Sequence, residues 1–350
     1  MSKNAQDGCA SVDFCVRRLH TGPVVDVLVL GDANPDLVLR GDVVPRFGQA
    51  EQLLTGADLV LGGSGAIVAH GLARLGRSVR LVAATGDDPF GRLTRGWLAD
   101  AGVEAPLLPP PSGAGTGATI VLSRGDDPTD RAMLTFPGAI AELSTEQVQA
   151  AVDDAFNQGV RHLHVASYFL VPALVTVLPD VLAEARTRGV TTSLDTNDDP
   201  ARKWSGVGDL LAHLDLLLPN RDEVLALAAG AGTPASDPEK AAARLAERGP
   251  AVVVKDGAAG AFRTDPEGTV LRERGVPVEP VDTTGAGDTF DAAYLDSFLD
   301  GRAPQACLRR AARAGAMSTS AVGGTAGQPT HDQLDRMDTD ERTPDAAREH

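Results

Sequence analysis

Short runs of apolar, often β-branched residues recur along this chain, separated by stretches with helical spacing. The runs are Val24–Leu30, Val79–Ala83, Val160–Ala166, Val190–Leu194, Leu214–Leu218 and Ala251–Lys255. Several are apolar almost throughout, as strands covered on both faces of a parallel sheet must be. From Val160 onward they stand roughly 25–35 residues apart, the length of a strand–helix–strand unit. Amphipathic patterns lie between them. Ser144–Asn157 opens with Ser144 and Glu146–Gln147 as a cap region and carries Val148, Val152 and Phe156 at helical spacing. Pro238–Arg248 reads the same way. The alternation predicts a doubly wound, mostly parallel α/β sheet.

Two stretches break this rhythm. Residues 36–61 and 116–136 contain short alternating runs, such as Asp36-Leu-Val-Leu-Arg40 and Ala118-Thr-Ile-Val-Leu-Ser123. They predict small antiparallel strands that form a lid over one edge of the α/β domain. Pro109-Pro110-Pro111-Ser112-Gly113 reads as a stiff connector. Residues 1–22 and 329–350 are polar with few apolar positions, and are expected to be flexible tails around one domain spanning 23–328.

Composition narrows the function. A hydrophobic fraction of 43% and a charged fraction of 23% in 350 residues are those of an ordinary globular protein. The net charge of -16 argues against nucleic acid or an anionic membrane as partner, though not against a nucleotide held by backbone amides and metal ions. Cys9, Cys15 and Cys307 form no close pair, so a reducing cytoplasm fits better than a disulfide framework. No apolar leader stands in residues 1–22, and no run of about 18 apolar residues predicts a membrane span.

The segment Asp282-Thr-Thr-Gly-Ala-Gly-Asp-Thr-Phe290 carries the chemistry. An extended stretch, Gly275–Val281, precedes it, and Phe290, Tyr294 and Phe298 follow on one helical face. Gly285-Ala286-Gly287 therefore falls at a loop-to-helix junction, where small residues let backbone amides approach an anion and the helix end adds positive charge. Asp288 lies in the first helical turn. A plain turn followed by an acidic first-turn residue would carry the same letters.

The whole segment resembles the second signature of the ribokinase-like (PfkB) carbohydrate kinase family. Other segments resemble that family in order: Gly31-Asp-Ala-Asn-Pro-Asp36, Leu61-Gly-Gly-Ser-Gly-Ala-Ile-Val-Ala69, Gly86-Asp-Asp-Pro-Phe-Gly91, Pro137-Gly138-Ala139, Pro219-Asn-Arg-Asp-Glu223 and Lys255-Asp-Gly-Ala-Ala-Gly260. The resemblance implies phosphoryl transfer from ATP to a hydroxyl of a sugar or sugar-like alcohol. Asp288 would be the general base, and the Gly285, Ala286 and Gly287 amides the anion hole. Asn34, Asp36, Gly62, Gly63 and Ile67 would line the acceptor site. Lys255, Gly257 and Gly260 would border the nucleotide with the segment 316–324. Asn220 and Glu223 would order the waters of a Mg²⁺ ion, although they also read as a turn and helix cap. Asp282 and Thr284 would help hold K⁺, although they also read as a capped turn. The resemblance extends to a homodimer formed through the lid.

Two departures stand out. Ile67 occupies a position where the family usually has a sugar-binding Asn, which implies an apolar wall and an acceptor with fewer hydroxyls there. Within Asp195-Thr-Asn-Asp-Asp-Pro200, Asp199 stands where many relatives have Arg, so the arginine anchor for an anionic substrate group is not at its usual place. A nucleoside kinase of the same fold is the alternative enzyme, disfavoured by an aromatic content of 4%. A non-catalytic binding protein is the alternative class, and it would have no need of Asp288.

Overall fold

A computed structural model describes residues 25–124 and 127–340. Strand β1 (Val25–Leu30) leads straight into the lid strands β2 (Asn34–Gly41) and β3 (Leu54–Gly62). Helix α1 (Ser64–Arg74), strand β4 (Val79–Val82) and helix α2 (Pro89–Asp100) follow, then the lid strands β5 (Ala118–Arg124) and β6 (Asp127–Phe136). The chain continues through α3 (Thr145–Gln158), β7 (Val160–Val165), α4 (Pro172–Thr187), β8 (Thr191–Leu194), α5 (Val207–Leu210) and β9 (Leu216–Leu217). Next come α6 (Arg221–Gly230), α7 (Pro238–Ala246), β10 (Ala251–Lys255), β11 (Gly260–Thr264) and β12 (Val270–Arg274). Helices α8 (Ala286–Leu299), α9 (Pro304–Ser318) and α10 (His331–Asp340) complete it.

The main sheet has the order β12-β11-β10-β9-β8-β7-β1-β4. Strands β10 to β4 pair in parallel, and β11 and β12 add an antiparallel edge. Alternate residues of β1 feed different cores. Leu28 and Leu30 pack with α3, α4, α6 and α7, while Val27 and Val29 pack with α1, α8 and α9. Both faces of the strand are dry, which is why its sequence is apolar throughout. The cap expected before α3 is present: Ser144 Oγ accepts from Gln147 N, and Gln147 Oε1 accepts from Ser144 N, each at 3.2 Å.

From β1 the chain goes first to β4 on one side and later to β7 on the other. Strand order reverses there, and ligands of doubly wound sheets bind in the crevice beyond the strand ends at such a reversal. The lid is a second sheet, ordered β3-β2-β5-β6. Its two outer pairs are antiparallel, as expected, while the central β2–β5 seam is parallel. That seam is possible because α1, β4 and α2 supply the long crossover a parallel pair requires.

The segment 331–340, expected within a flexible tail, is instead helix α10. Leu334 is fully buried, and Asp335 and Asp338 pair with Arg310, itself 1% exposed. The charges that read as a solvated tail are ion-pair partners of a buried cation. Residues 1–22 and 341–350 lie outside the described residues. No helix among the described residues is long and apolar enough to cross a membrane.

Candidate active site

The ends of β1, β7 and β8 are laced together at the reversal point. Asp32, just beyond β1, accepts from Gly65 N at 3.0 Å and from Ser167 Oγ at 2.7 Å. Ser167 and Asn197, beyond β7 and β8, both hold left-handed backbones with φ 55°. Such non-glycine conformations cost of order 1–3 kcal/mol and persist where the surroundings fix them. Here Ser167 N donates to Asn197 Oδ1 at 2.8 Å, and Asn197 Nδ2 donates to Ser64 Oγ at 2.6 Å.

Ser64 in turn hydrogen-bonds Asp288. Gly285 caps α8 at φ 69°, in the left-handed region that favours glycine. A Cβ there would also lie 2.6 Å from Gly324 Cα, so the loop can close only over glycine. Ala286 and Gly287 begin α8; Ala286 N donates to Thr283 O at 3.3 Å, a long bond, and the other first-turn amides have no acceptor within the helix. Asp288 is 8% exposed. Burial, then the charge of Asp195, pushes its carboxyl up to about 7, against the opposing pull of Lys255. A carboxyl so placed can take a proton near neutral pH beside a ready anion site.

Asn34 and Asp36 share a face of β2, and Asn34 Nδ2 donates to Asp36 Oδ1 at 2.7 Å. Asp36 is buried, and burial followed by the charge of Asp32 raises its carboxyl to about 7. Its carboxylate lies directly over Gly62, where a Cβ would fall 2.0 Å from the carboxyl carbon. Gly63 caps α1 at φ 86°. Ile67, expected in the acceptor wall, lies on α1. It is 3% exposed and packs against Gly285 and Gly324, where added Cβ atoms would stand 3.1 and 2.5 Å from its branches. It supports the Gly285 and Gly324 backbones from behind.

At the end of β10, Lys255 Nζ lies 2.7 Å from Asp195 Oδ2 and 3.0 Å from Asp291 Oδ2. Asn220 and Glu223 form a capping box on α6: Asn220 Oδ1 accepts from Asp222 N and Glu223 N, and Glu223 Oε2 accepts from Asn220 N. The cap uses the Asn220 carbonyl but leaves Glu223 Oε1 outside it. Burial, then Asp195, raises the Glu223 carboxyl to about 7. Among the described residues no cluster of three metal-ligating side chains occurs. Gly257, at φ 55°, has open space above its Cα, whereas Gly260 is pressed against the backbone of Glu273–Gly275. Strand pairing by itself already requires glycine at residue 260. Asp282 caps its own turn, accepting from Thr284 N at 2.9 Å, Thr284 Oγ1 at 2.7 Å and Gly323 N at 2.8 Å. Asp199 accepts from the amides of Ala201, Lys203 and Trp204, a purely local turn role.

Sequence reasoning passed over Asp32, Ser64, Ser167, Asn197, Asp291 and Arg131, whose Nη1 on β6 donates to the hydroxyls of Thr283 and Thr284 at 3.3 and 3.1 Å. Asp32 and Ser64 sat inside quoted motifs, but nothing in their spacing showed that they would meet. Asp291 follows Asp288 by three residues, one helical turn, and that spacing was a usable signal.

A doubly wound sheet with a β lid, and a first-turn carboxylate beside a glycine-lined helix end, define the class of protein. The description pfkB family carbohydrate kinase matches residues 25–331. The chain belongs to that family of carbohydrate kinases. It is 28% identical over 316 residues to a ribokinase of Bacillus subtilis, covering 89% of this chain and 99% of that one. It is 30% identical over 322 residues to an ATP-dependent ribose-1-phosphate kinase of Halopiger xanaduensis, covering 89% and 97%. A solved putative ribokinase II of E. coli, in complex with ATP and Mg²⁺, shares the fold with a TM-score of 0.76 at 23% identity, over 91% of this chain and all of that one.

Proposed function

We propose that this chain transfers the γ-phosphoryl group of ATP to a hydroxyl of a sugar or sugar-like alcohol. The acceptor oxygen bonds to the γ-phosphorus, the bond to ADP breaks, and Asp288 takes the hydroxyl proton. The amides of Gly285, Ala286 and Gly287 face the charge that develops on the phosphoryl oxygens. Asn34 and Asp36 hold vicinal hydroxyls of the acceptor. The observation that carries this reading is the place of Asp288: a buried carboxyl with a raised pKa, tied through Ser64 and Asn197 to the strand ends, in the turn that follows a left-handed glycine. The names of the two relatives, a ribokinase and a ribose-1-phosphate kinase, favour a sugar acceptor.

Mg²⁺, bound with ATP, would neutralise phosphate charge. Glu223 fits the role of holding its waters through Oε1, since a nearby cation would relieve a buried carboxyl already crowded by Asp195. Asn220 fits less well, because its carbonyl is spent on the cap. Asp282 suits a K⁺ neighbour: it is 5% exposed, and among the described residues no basic side chain lies within salt-bridge distance of it. A second copy is the proposed partner of the lid's outer face, where Leu37, Leu59, Ile120 and Leu134 align in register, with Leu59 and Leu134 about half exposed. Light scattering on wild type and Leu134→Glu tests that pairing.

The function itself is tested by ADP release with Mg·ATP and a panel of pentoses, hexoses and nucleosides. Sugar-dependent release that Asp288→Asn lowers by about 10²–10⁴-fold is expected. Release with nucleosides alone would replace this reading with a nucleoside kinase.

A further inference from the structure

A cleft of about 490 Å³ opens between β3, α1, α2 and the loop that leads to α10. Leu61 of β3, His70 and Arg74 of α1, Trp97 and Asp100 of α2, and Thr325 line it. None of them has a part in the transfer. Ile67, His70 and Arg74 stand three and four residues apart, so they share one face of α1. At one end of that face Ile67 meets Gly285, and at the other stand the two cleft residues.

Gln328 joins the two ends. Its Oε1 accepts from His70 Nδ1 at 2.6 Å, and its backbone carbonyl accepts from Arg74 Nε at 2.6 Å. Its Nε2 donates to Ile67 O at 3.0 Å and to Thr289 Oγ1 at 3.1 Å. Both amide hydrogens and the amide oxygen are used, so this buried side chain is fixed in one orientation. Gly71 makes the room for it: an added Cβ would stand 2.9 Å from Gln328 Nε2.

Arg74 spends only Nε on this clamp. Among the described residues no carboxylate stands within salt-bridge distance of it, and neither Nη has a hydrogen-bond partner. Burial lowers the pKa of His70, and the charge of Arg74 adds to that against the pull of the Gln328 bond. The cleft thus offers one cation, Arg74, and one carboxylate, Asp100, on different helices, with Trp97 one turn before Asp100 on α2.

We propose that this cleft is a second ligand site, for a small monocarboxylate with an apolar body. The two Nη groups of Arg74 form a fork that matches the two oxygens of a carboxylate. Trp97 and Leu61 cover the apolar body. Asp100 repels a second negative charge, which disfavours a phosphate dianion. A bound carboxylate holds the guanidinium whose Nε holds the Gln328 carbonyl, so occupancy tightens the clamp of α1 on α8 and raises turnover. The binding stands without the phosphotransfer reading above; the effect on turnover rests on it.

Trp97 and Trp204 are the two tryptophans of the chain, so a Trp204→Phe protein reports the cleft through Trp97 emission. Phenylpropionate is the probe, with phenylpropanol as its neutral analogue and phenyl phosphate as the dianion. Phenylpropionate is expected to shift Trp97 emission, and calorimetry on wild type should show both analogues binding about 10-fold or more weakly. Arg74→Gln should weaken phenylpropionate about 10–100-fold with its circular dichroism unchanged. Arg74→Lys should recover part of that loss. Phenylpropionate should raise kcat for the sugar in wild type and not in Arg74→Gln. Unchanged Trp97 emission, or equal affinity in wild type and Arg74→Gln, overturns the site. Phenyl phosphate bound more tightly than phenylpropionate overturns the monocarboxylate class. Phenylpropionate that binds without moving kcat overturns the link through Gln328. Wild type that binds phenylpropionate yet phosphorylates no sugar would sink the phosphotransfer reading alone and leave the site standing.

Discussion

Lys255 Nζ and Asp195 Oδ2 stand 2.7 Å apart, joining the carboxyl ends of β10 and β8 beside the first turn of α8. Asp291 closes the group at 3.0 Å, and all three side chains are nearly or fully buried, at 11%, 4% and 0% exposure. The Asp291 carboxyl is held well above its usual range by burial, and the Lys255 charge holds that of Asp195 low despite its own burial. One lysine thus stands between two buried carboxyls. The same ammonium lies 3.6 Å from where a Cβ of Gly287 would be, so it fixes the approach of α8 to the strand ends.

Removal of that cation is expected to be costly. Lys255→Met leaves Asp195 and Asp291 buried without a counter-charge, and breaking a buried pair on one side costs about 3–5 kcal/mol. Urea unfolding should show that loss. Adding Asp195→Asn to Lys255→Met should restore most of it, since the remaining carboxyl can stay protonated. A Lys255→Met protein of unchanged stability would show that the group carries no stabilising charge balance.

Asp288 should trade stability for activity in a pH-dependent way. Its folded pKa of about 7 lies above the unfolded value of about 3.9. Between those limits the folded chain keeps a proton that the unfolded chain has released. Stability from this group is therefore fully present below about 4 and lost as pH rises through about 7. Asp288→Asn removes the ionisation. The variant should be more stable than wild type at pH 8, by up to about 4 kcal/mol, with the gap closing toward pH 4. Turnover of wild type should fall below about pH 7 as the base protonates, and the variant's residual turnover, lower by about 10²–10⁴-fold at its peak, should lack that dependence. Melting temperatures and kcat across pH 5–8 check both halves.

The sheet was legible in the sequence because buried parallel strands cannot be polar: all six expected strands appear, β9 shortened to Leu216–Leu217. The edge hairpin was not. Strand β12 reads Val270-Leu-Arg-Glu-Arg274, partly exposed, and its charges hide the alternation that marks a half-buried strand. The turn before α8 was legible because glycine there answers a backbone need, φ 69° at Gly285. The packing of Ile67 against Gly285 and Gly324 was not legible, because a motif position does not say which side of a helix turn a residue takes. The contact of Arg131 with Thr283 and Thr284 escaped notice because it joins segments about 150 residues apart, which no local pattern encodes.

Gly62→Ala should act on the acceptor alone. Its Cβ would fall 2.0 Å from the Asp36 carboxyl carbon, so the carboxylate must leave its place beside Asn34. Misplacing a positioning group by about 1 Å can cost 10²-fold. The expected result is a fall in kcat/KM for the acceptor of about 10–100-fold with the KM for ATP unchanged. A parallel rise in both KM values would mean that Gly62 shapes more than the Asp36 pocket.

The last prediction reverses what the motif position of Ile67 suggests. An Asn there was expected to welcome hydroxylated sugars. In the structure Ile67 is 3% exposed, and its branches fill the space left by the missing Cβ atoms of Gly285 and Gly324. Its carbonyl accepts from Gln328 Nε2 at 3.0 Å, and the same amide donates to Thr289 Oγ1 at 3.1 Å, so α1 is clamped to α8 behind the anion hole. An amide at residue 67 would face two glycine backbones in a dry interface. A buried polar group without a partner costs about 1–3 kcal/mol. Ile67→Asn should therefore lower stability by that amount and depress kcat for every acceptor alike, because the loop that offers the amides loses its brace. Ile67→Val, which keeps the branch at Cβ, should cost about 0.5–1.5 kcal/mol. The ratio of kcat/KM for a hydroxylated sugar and its deoxy analogue is the deciding measurement. A ratio unchanged by Ile67→Asn supports the bracing role, and a shift toward the hydroxylated sugar would return Ile67 to the acceptor wall.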